Sequence, residues 1–394
     1  MYISRLKLIN WKNFGNIDIP LQPRTFIVGA NASGKSNLLD AIRFLRDIAK
    51  NGGGLQYAVN NVRGGVKKIR NLSARQETDI TIEIELSDAD AKKPEWLYRL
   101  KFNQVGGGVR DLKPTLREEI VWYKDTPVLE RSFGKFSKKE STKVDRLSLS
   151  TFLEQPSQND KFWPLVEIIR DIQYLHIIPH LVRLSHQVIM PEEQADYFGK
   201  DIIQRINHLN KKTQLSYLKK IGKVLEIAVP QFKQITLQQD GDGVPHIQAI
   251  FQHWRAKGAR QWEDQFSDGT LRLIGLLWAL LDGTKPLLLE EPELSLNAAI
   301  VSRLSETIAS LQQKKNGQRQ VIVSTHSFDL LNNSGISTKE TIMLIPGENG
   351  TEARCANDDL EIRTLLESGM TVGETVIQQT APKNIQRMTR VMGD

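Results

Sequence analysis

The segment around residue 30 constrains the fold of this chain more than any other part of the sequence. A short apolar run at 25–28 predicts a buried strand, and the spacing of apolar residues across 35–49 predicts a helix. Between them, residues 29–36 read Gly-Ala-Asn-Ala-Ser-Gly-Lys-Ser and fit the pattern G-x-x-x-x-G-K-[ST]. An accidental match is the alternative, and the flanking strand and helix disfavour it. The order of strand, loop and helix predicts an α/β fold with a phosphate-binding loop.

The residue types in this loop indicate what it binds. Gly29 and Gly34 let the backbone turn so that successive N–H groups face one anion, and the helix N-terminus adds its positive end. We expect Lys35 to reach the β- and γ-phosphates of a nucleotide and the hydroxyl of Ser36 to bind Mg²⁺. The nucleotide-binding residues predicted here are Gly29, Asn31, Ala32, Ser33, Gly34, Lys35, Ser36 and Asn37.

Cysteine usage and apolar runs indicate where the protein works. Cys355 is the only cysteine among 394 residues, which excludes an intrachain disulfide and a cysteine-based zinc site and favours a reducing compartment. Arg5, Lys7 and Lys12 interrupt the start of the chain, so it does not read as an apolar signal segment. The longest apolar run, 273–281, is too short to cross a bilayer. We therefore expect a cytoplasmic protein without membrane contact.

The balance of charge is basic. A net charge of +7 and a pI near 9.2 favour contact with nucleic acid, but only weakly, because many soluble proteins are mildly basic. Basic residues are concentrated at 63–75, at 131–146 and, as lysines, at 211–223. For 131–146 a solvated loop is the favoured interpretation, and contact with the phosphate backbone of double-stranded DNA is the alternative.

Changes of pattern along the chain predict four parts. Residues 1–149 read as the first part of an α/β head with an antiparallel β-rich layer, because 79–86 alternate between apolar and polar residues. Residues 150–234 read as an inserted, mainly helical lobe, and 235–350 return to α/β character as the second part of the head. Residues 351–394 read as a polar tail and a candidate segment for docking a partner.

A second chemical signal is a pair of carboxylates after a buried strand. The apolar run at 287–289 predicts that strand, and Glu290 and Glu291 follow it at the end where ligands bind in open α/β sheets. We assign Glu290 to the Mg²⁺ shell, directly or through water, and Glu291 to orienting and deprotonating the attacking water. A charged surface turn is the alternative, and the loop at 29–36 disfavours it.

The histidines give one further candidate. His326 follows a buried run at 320–323 and is placed to contact a γ-phosphate or to position the water, although a single histidine in a loop is usually structural. His176, His180 and His186 do not predict a metal site, because a proline breaks helical register between them and no carboxylate is interleaved. We expect the Mg²⁺ of the nucleotide to be the only metal.

A short polar segment precedes the apolar helix predicted at 271–281. Ser267 and Gly269 in this segment are candidates to present a hydroxyl and N–H groups to a phosphate at the helix N-terminus. A plain N-cap, with Asp268 or Thr270 as the capping residue, is the alternative, and the local sequence favours it.

The order of these motifs resembles the ABC-type ATPases and, among them, the RecF/SMC/OLD branch, which acts on DNA. The resemblance rests on ISRLKLINWKNF (Ile3 to Phe14), GANASGKSN, FSDGTLR and LLLEEPELSLN, and it covers residues 1–50 and 262–330. It implies an ATPase that uses ATP and Mg²⁺, and in which two heads pair head-to-tail around two ATP molecules.

The resemblance also implies roles for single residues. Ser267 and Gly269 of one protomer would cap the γ-phosphate that Lys35 of the other holds, and Asn297 resembles the family's cross-dimer loop. Glu290 stands where an aspartate is more usual, and this change would lengthen the contact to Mg²⁺ and slow turnover.

Several features of the relatives are missing from this sequence. No heptad repeat is long enough for an SMC coiled coil, and one cysteine cannot supply the Cys-x-x-Cys hook of the repair relatives. Residues 327–394 are too few for the nuclease domain of the OLD proteins, so we expect a nuclease or other effector to be a separate protein. Only Gln155 and Gln158 are candidates for the family's glutamine loop.

The sequence leads to one preferred function and two alternatives. We predict a homodimeric ATPase, or a higher oligomer, that senses or binds DNA and controls a separate effector in bacterial defence or DNA repair. The first alternative is a slow or non-catalytic ATP switch that assembles a complex, and Glu290 supports it. A transporter-type subunit is disfavoured, because no glutamine loop and no surface for a membrane partner is visible.

Overall fold

The computed structural model describes residues 1–88, 91, 93–105, 113–134, 146–186, 197–254, 258–314 and 319–381. The strands are β1 (Tyr2–Trp11), β2 (Phe14–Pro20), β3 (Arg24–Gly29), β4 (Ile80–Ser87), β5 (Trp96–Val105), β6 (Lys113–Tyr123), β7 (Thr126–Ser132), β8 (Gln173–Leu175), β9 (Phe232–Gln239), β10 (Pro245–Phe251), β11 (Ala259–Trp262), β12 (Leu287–Glu290), β13 (Val321–Thr325), β14 (Thr341–Gly347) and β15 (Gly350–Cys355). They form three sheets.

Helices of the described residues surround and separate these sheets. The α-helices are α1 (Lys35–Ala49), α2 (Val66–Ile69), α3 (Trp163–Arg170), α4 (Pro179–Arg183), α5 (Ile202–His208), α6 (Lys211–Ala228), α7 (Asp268–Leu281), α8 (Ala298–Val301), α9 (Leu304–Lys314), α10 (Phe328–Leu331), α11 (Leu360–Glu367) and α12 (Val372–Thr380). Short 3₁₀ turns lie at Arg146–Leu149, Asp160–Phe162, Glu263–Gln265, Thr338–Glu340 and Ala356–Asp358, and a π-helical turn lies at Tyr57–Asn61. None of the helices in these ranges combines the length and apolar content that a membrane crossing requires.

The first sheet is an antiparallel layer with strand order β2-β1-β4-β5-β6-β7. It packs against α1, whose Phe44 stacks on Phe102 of β5 with 5.4 Å between ring centroids. The face of β4 that carries its polar residues is also covered. Glu83 is only 3% exposed, because the guanidinium groups of Arg5 and Arg99 bind its carboxylate at 2.9 and 2.5 Å.

The second sheet is the centre of the molecule. Its order is β15-β14-β3-β13-β12-β8, with β15 antiparallel to β14 and the other neighbours parallel. The apolar runs predicted as buried strands are covered on both faces, since Ile27 belongs to the core shared with α1 and Phe26 to the core on the α7 side. Each such fully buried side chain contributes about 1.5–3 kcal/mol to folding.

The third sheet, β11-β10-β9, is small and antiparallel, and α6 packs against it. A side chain at Gly222 of α6 would contact Ile235 of β9 at 3.4 Å, so helix and sheet are close here. The helix ends at Ala228 because Val229, which precedes Pro230, takes the extended conformation (φ −121°, ψ 116°) that a following proline favours.

The structure differs from the expected organisation in three places. The 150–234 segment contains β8, a strand of the central sheet that is too short at three residues to leave a periodic signal. The segment after 350 was expected to be a polar tail, but β15 pairs with β14, and Ile362 and Val376 of the following helices are fully buried. Residues 298–312, whose sequence pattern predicts one helix, belong to two helices, α8 and α9.

Candidate functional site

The parallel strands of the central sheet end at one edge, and that edge collects most of the predicted site residues. β3 ends at Gly29 and leads into the phosphate-binding loop, β12 ends at Glu290, and β13 leads to His326. Glu290 and Ser324 are register partners on neighbouring strands. Because these strands run in the same direction, the loop, the acidic pair and the histidine meet at their carboxyl ends.

The loop has a backbone that only certain residues tolerate. Ala32 and Gly34 have φ of 64° and 103°, in the left-handed region. A Cβ at Gly34 would lie 2.1 Å from Nδ2 of Asn13, and a Cβ at Gly29 would lie 2.3 Å from Oγ of Ser33. Both glycines of the motif are therefore needed for close approach, and Gly34 is also needed for its φ.

Two distant segments hold the loop in place. Asn13, in the turn between β1 and β2, donates from Nδ2 to the carbonyl of Ser33 at 3.0 Å and to Thr351 Oγ1 at 2.8 Å. Thr351, in β15, donates to the same Ser33 carbonyl at 2.9 Å. Asn37 donates to Asn13 Oδ1 at 2.7 Å, and its own carbonyl accepts from Nε1 of Trp11 at 2.8 Å. The loop is thus fixed by the protein itself.

The predicted loop residues are not all equally exposed. Asn31, Ala32 and Ser36 are exposed at the mouth of the site. The hydroxyl of Ser33 is buried, so this residue can offer a ligand only its backbone. The side-chain amide of Asn37 is engaged by Asn13, as described above.

Lys35 is held inside the loop. Its ammonium group donates to the carbonyls of Gly29 and Ala30 at 2.9 and 3.2 Å and lies 3.8 Å from Oε1 of Glu291. Burial lowers the pKa of Lys35, while the charges of the neighbouring glutamates, Glu291 and Glu293 among them, act in the opposite direction. These carboxylates therefore favour the cationic form that a phosphate requires.

Ser36 and Glu290, the two residues assigned to Mg²⁺, are in direct contact. The Ser36 hydroxyl donates to Oε1 of Glu290, and Oε2 accepts from the hydroxyls of Tyr174 and Tyr197 at 2.5 and 3.2 Å. Burial raises the pKa of Tyr174 and raises that of Tyr197 to about 12, so both hydroxyls remain protonated donors. His176, the residue after β8, places Nδ1 3.3 Å from the carbonyl oxygen of Glu290.

A charged network of α1 supports the two tyrosines. The guanidinium of Arg43 lies 5.3 Å from the ring centre of Tyr174 and 4.8 Å from that of Tyr197. Arg43 and Arg63 both pair with Asp40, at 3.0 and 2.7 Å. Although burial alone would raise the pKa of Asp40, these two cations hold it well below its usual range. Arg63, which we counted with the basic segment at 63–75, is therefore used inside the head.

The second carboxylate of the pair is aimed by its backbone and by the histidine. Glu291 has φ of 43°, and its N–H donates to the carbonyl of Ser324 at 3.0 Å. His326 Nδ1 lies 3.1 Å from Oε1 of Glu291. The backbone N–H of His326 and the hydroxyl of Thr325 donate to Oε1 of Glu293, at 3.3 and 2.5 Å. These two bonds make Glu293 a support for the histidine loop. Burial raises the pKa of Glu293.

The segment before α7 is built from local contacts. Ser267 is the N-cap, because its Oγ accepts from the N–H of Thr270 at 3.2 Å; the prediction that Asp268 or Thr270 would be the cap was wrong. A Cβ at Gly269 would lie 2.6 Å from the carbonyl oxygen of Ser295. The first turn of α7 thus packs closely on the loop after the acidic pair.

Asn297 also has a local role, as the N-cap of α8, where Oδ1 accepts from the N–H of Ala299 at 2.9 Å. Within the described ranges, no hydrogen bond or ion pair joins Ser267, Gly269 or Asn297 to residues 29–37. The predicted site therefore consists of two separate parts within one chain.

The glutamine-loop candidates lie elsewhere. Gln155 donates from Nε2 to Ser150 Oγ at 2.8 Å, and Gln158 donates its backbone N–H to the carbonyl of Gln155. Strand β8 lies beside β12, and the residue that follows β8 is His176, whose Nδ1 lies next to the carbonyl oxygen of Glu290.

The lysines of α6 are the clearest basic surface of the described residues. Lys212, Lys219, Lys220 and Lys223 are exposed and form no ion pair with any described residue. A groove of about 510 Å³ lies between α6 and β9, with Glu226 as its only carboxylate. The lysines that line this groove are Lys211, Lys219, Lys223 and Lys233. Of the basic segment at 131–146, residues 135–145 lie outside the described ranges.

Sequence reasoning missed the residues that support the site. Asn13, Thr351, Tyr174, Tyr197 and His176 come from segments far from the loop in sequence, and a contact between such segments leaves no local pattern. Tyr174 and His176 left no clearer signal, because β8 has only three residues and begins with a polar glutamine.

The donor set fits a nucleotide with Mg²⁺. A serine hydroxyl and a carboxylate oxygen in contact are the hard oxygen ligands that Mg²⁺ prefers, and Glu290 is only 9% exposed. The left-handed loop and Lys35 supply donors for phosphate oxygens beside them.

Comparisons with known proteins agree with this geometry. A family model described as "AAA domain, putative AbiEii toxin, Type IV TA system" matches residues 24–332. The DNA replication and repair protein RecF of Brucella abortus (strain 2308) is 31% identical over 127 residues, which are 30% of each protein. The RecF protein of Streptococcus uberis is 23% identical over 250 residues, covering 61% of this chain and 63% of that protein. The chain thus aligns with less than two thirds of the length of these relatives.

Solved structures are similar at the level of the fold. An Smc head bound to the C-winged helix domain of ScpA aligns with a TM-score of 0.52 at 15% identity and covers 90% of this chain and 98% of that one. An Smc head domain with a coiled coil and joint from Pyrococcus yayanosii aligns with a TM-score of 0.50 at 12% identity, covering 93% and 99%. These alignments confirm the predicted fold class of an ABC-type P-loop head with an antiparallel layer.

Proposed function

From the family of AAA domains and the RecF/SMC branch of the ABC-type P-loop ATPases, to which this chain belongs, we propose that it is an ATPase. It closes on ATP with a second copy of itself, and this closure is coupled to DNA and to a separate effector. One observation carries the proposal. Lys35, the Ser36–Glu290 pair and the Glu291–His326 pair converge at one edge of the central sheet.

Each residue at this edge has a chemical task. When bound, Mg²⁺–ATP supplies the phosphoryl group and the charge of the metal. Lys35 holds a cation against the β- and γ-phosphates, and Ser36 with Glu290 provides the oxygen ligands for the metal. Glu291 accepts the proton of the attacking water, and His326, at 3.1 Å, fixes the direction of that carboxylate.

Pairing of two copies would complete the site. No hydrogen bond or ion pair of the described residues joins Ser267, Gly269 or Asn297 to residues 29–37, and Ser267, Ser295 and Asn297 are exposed. We propose that these three residues cap the γ-phosphate held by Lys35 of the other copy. Higher oligomers are compatible with the same pairing.

The DNA and effector parts of the proposal rest on charge and on family. The lysines of α6 without ion-pair partners are the kind of surface that contacts a phosphate backbone. The RecF relatives are named for DNA replication and repair, and the family description includes a putative toxin, which supports bacterial defence or repair as the setting. We propose a cytoplasmic location and an effector, such as a nuclease, on another chain.

The first experiment is the steady-state ATPase rate of the purified chain, with Glu291→Gln as the test variant and Glu361→Gln, an exposed carboxylate of α11, as the matched control. Loss of the general base is expected to lower the rate by about 10²–10⁴-fold, whereas Glu361→Gln leaves it unchanged. A Glu291→Gln protein that hydrolyses ATP at the wild-type rate contradicts the assigned base.

Two further measurements test the finer parts. Light scattering of Glu291→Gln at saturating ATP is expected to show a dimer, and a monomer at high concentration contradicts the pairing.

Duplex DNA is expected to raise the wild-type rate several-fold, with the increase lost at high salt and in a variant with Lys212, Lys219, Lys220 and Lys223 replaced by glutamine. A wild-type rate that is indifferent to DNA contradicts DNA coupling and leaves the ATPase result intact.

A slow or non-catalytic ATP switch is the second candidate, and one observation favours it. Both carboxylate oxygens of Glu290 already have hydroxyl partners, Ser36 on one and Tyr174 and Tyr197 on the other. Such a carboxylate is held back from direct contact with a metal. In a single-turnover experiment the switch predicts bound ATP that persists for hours, whereas release of phosphate within minutes excludes it.

A further inference from the structure

A cluster of metal-ligating side chains lies outside the nucleotide site. His186, His246 and Glu263 each bring one potential ligand atom within 4.8 Å of the others. They come from three segments: the turn after α4, the start of β10 and the 3₁₀ turn after β11. The fold, and not a local motif, brings them together.

The histidine of β10 is the centre of the cluster. His246 Nδ1 lies 2.6 Å from Oε1 of Glu263, and Nε2 lies 3.4 Å from Oδ2 of Asp240. Glu263 is 1% exposed, and its second oxygen accepts from the N–H of Ile247 at 2.9 Å. Once Nδ1 has lost its proton, the imidazole and this buried carboxylate are close enough to bind one metal ion together.

His186 faces this centre from the surface. Its ring centroid is 5.1 Å from that of His246, with the rings edge to face. Nε2 of His186 lies 3.1 Å from the carbonyl oxygen of Pro245. When that nitrogen donates its proton to the carbonyl, Nδ1 keeps its lone pair, which faces the side-chain amide nitrogen of Gln204 at 3.4 Å. A metal ion at Nδ1 would replace this contact, and a metal-ligating histidine is commonly oriented by such a bond from its other nitrogen.

We propose that His186, His246 and Glu263 form a site for a divalent transition metal of the zinc class, with Asp240 as a further ligand or a support. Two imidazoles and a carboxylate are a common zinc donor set, and they disfavour Mg²⁺ and Ca²⁺, which prefer oxygen ligands alone. The charges of Glu263 and Asp240 together balance a divalent ion. Donor atoms that bind one zinc ion lie at most about 4 Å apart. Side-chain rotations that move the three ligand atoms by about 1 Å would therefore bring them within reach of one ion.

The site would connect α4 to the segment that precedes α7. Glu263 stands four residues before Ser267, and Arg183 of α4 already donates to the carbonyl of Phe266 and to Oδ1 of Asp268, both at 2.6 Å. A metal bridge from His186 to Glu263 would run beside these bonds. Occupancy is therefore expected to order the segment 266–268.

The test is zinc binding by the full chain after chelator treatment, measured by calorimetry without nucleotide. His186→Ala is the test variant, because this residue is exposed and its loss does not threaten folding, and His208→Ala, an exposed histidine of α5, is the matched control. We expect one zinc ion per chain in the wild type and in His208→Ala, and at least about tenfold weaker binding in His186→Ala. The tetrahedral absorption of Co²⁺ should appear in the same two proteins and be lost in the variant.

Two outcomes would overturn the proposal. One is the absence of stoichiometric zinc binding by the wild type. The other is equal affinity in the wild type and His186→Ala, which would mean that His246 and Glu263 form an ion pair only or that zinc binds elsewhere. Hydrogen exchange gives a second measurement, because zinc should slow exchange at 266–268 in the wild type and not in His186→Ala.

Discussion

The phosphate-binding loop and the start of α7 both place a glycine where a helix begins, but they are held in different ways. The loop is fixed by Asn13 and Thr351, which reach it from the first sheet and from β15, and its acidic neighbour is fixed by Tyr174. The start of α7 is held by its own cap, Ser267, and by Arg183 of α4, which donates to the carbonyl of Phe266 and to Asp268.

This difference indicates which half of the site is complete in one chain. A loop fixed by two distant segments can bind phosphate without rearranging, so its function should depend on single atoms of Asn13 and Thr351. The start of α7 exposes Ser267, and no hydrogen bond or ion pair of the described residues joins it to the loop, so this half of the site depends on a second copy of the chain. The two halves should therefore respond differently to the same kind of substitution.

Alanine at Gly34 is the most damaging change we predict. The φ of 103° and the 2.1 Å approach to Asn13 leave no room for a Cβ, so the loop must change conformation. We expect ATP affinity, measured by calorimetry, to fall by at least about 100-fold, because several backbone donors are displaced together. Gly241→Ala is the control, since an added Cβ there meets no atom within 4 Å. Unchanged affinity in Gly34→Ala would mean that the loop geometry is not what binds ATP.

Alanine at Gly269 should separate binding from pairing. The added Cβ would lie 2.6 Å from the carbonyl oxygen of Ser295, so the segment before α7 and the loop after the acidic pair must move apart. ATP affinity of the monomer should stay within about twofold, because no hydrogen bond or ion pair of the described residues links the start of α7 to the loop. Dimer formation with ATP, measured by light scattering in the Glu291→Gln background, should fall by about tenfold or more. A parallel loss of ATP affinity would show that both halves act in one chain.

The fold and the polar ends of its strands could be predicted, because the signals are local. The apolar runs of β3, β12 and β13 are buried on both faces, and a residue that follows such a run stands at the edge where Lys35 and Glu291 were expected. The supporting residues could not be predicted. The bond from Asn13 to Thr351 joins positions 338 apart, and neither residue belongs to a periodic pattern.

The tail was misjudged for a related physical reason. A polar segment can still be ordered when a few of its side chains are buried, as Ile362 and Val376 are, and when its backbone extends an existing sheet, as β15 does. Backbone pairing carries no side-chain signature, so composition alone suggested a tail where the structure has an edge strand that positions Thr351.

Removal of the Tyr174 hydroxyl tests whether Glu290 must be held in place for Mg²⁺ to act. Tyr174→Phe deletes a buried hydrogen bond of 2.5 Å to a carboxylate, a bond type worth about 1.5–3 kcal/mol. The Mg²⁺ concentration for half-maximal ATPase rate should change by about tenfold while ATP affinity without metal stays the same. Tyr197→Phe, with its bond of 3.2 Å, should have a smaller effect, and Tyr217→Phe, remote from the site, should have none. Identical Mg²⁺ dependence in all three variants would mean that the hydroxyls of Tyr174 and Tyr197 do not position Glu290.

The smallest effect that we predict is at Glu154, which binds the chain just after the C-terminal end of α1. Glu154 accepts from the N–H of Leu55 at 2.6 Å, just after the helix that begins at the loop, and burial raises its pKa from 4.5 to about 7. Between about pH 4.5 and 7 the folded chain therefore binds more protons at this site than the unfolded chain, and the free energy of unfolding should decrease as pH rises through that window. Glu154→Gln cannot titrate, so urea unfolding at pH 5, 6 and 7 should give a shallower pH dependence than the wild type. Equal slopes would mean that the carboxyl titrates normally and does not fasten the end of α1.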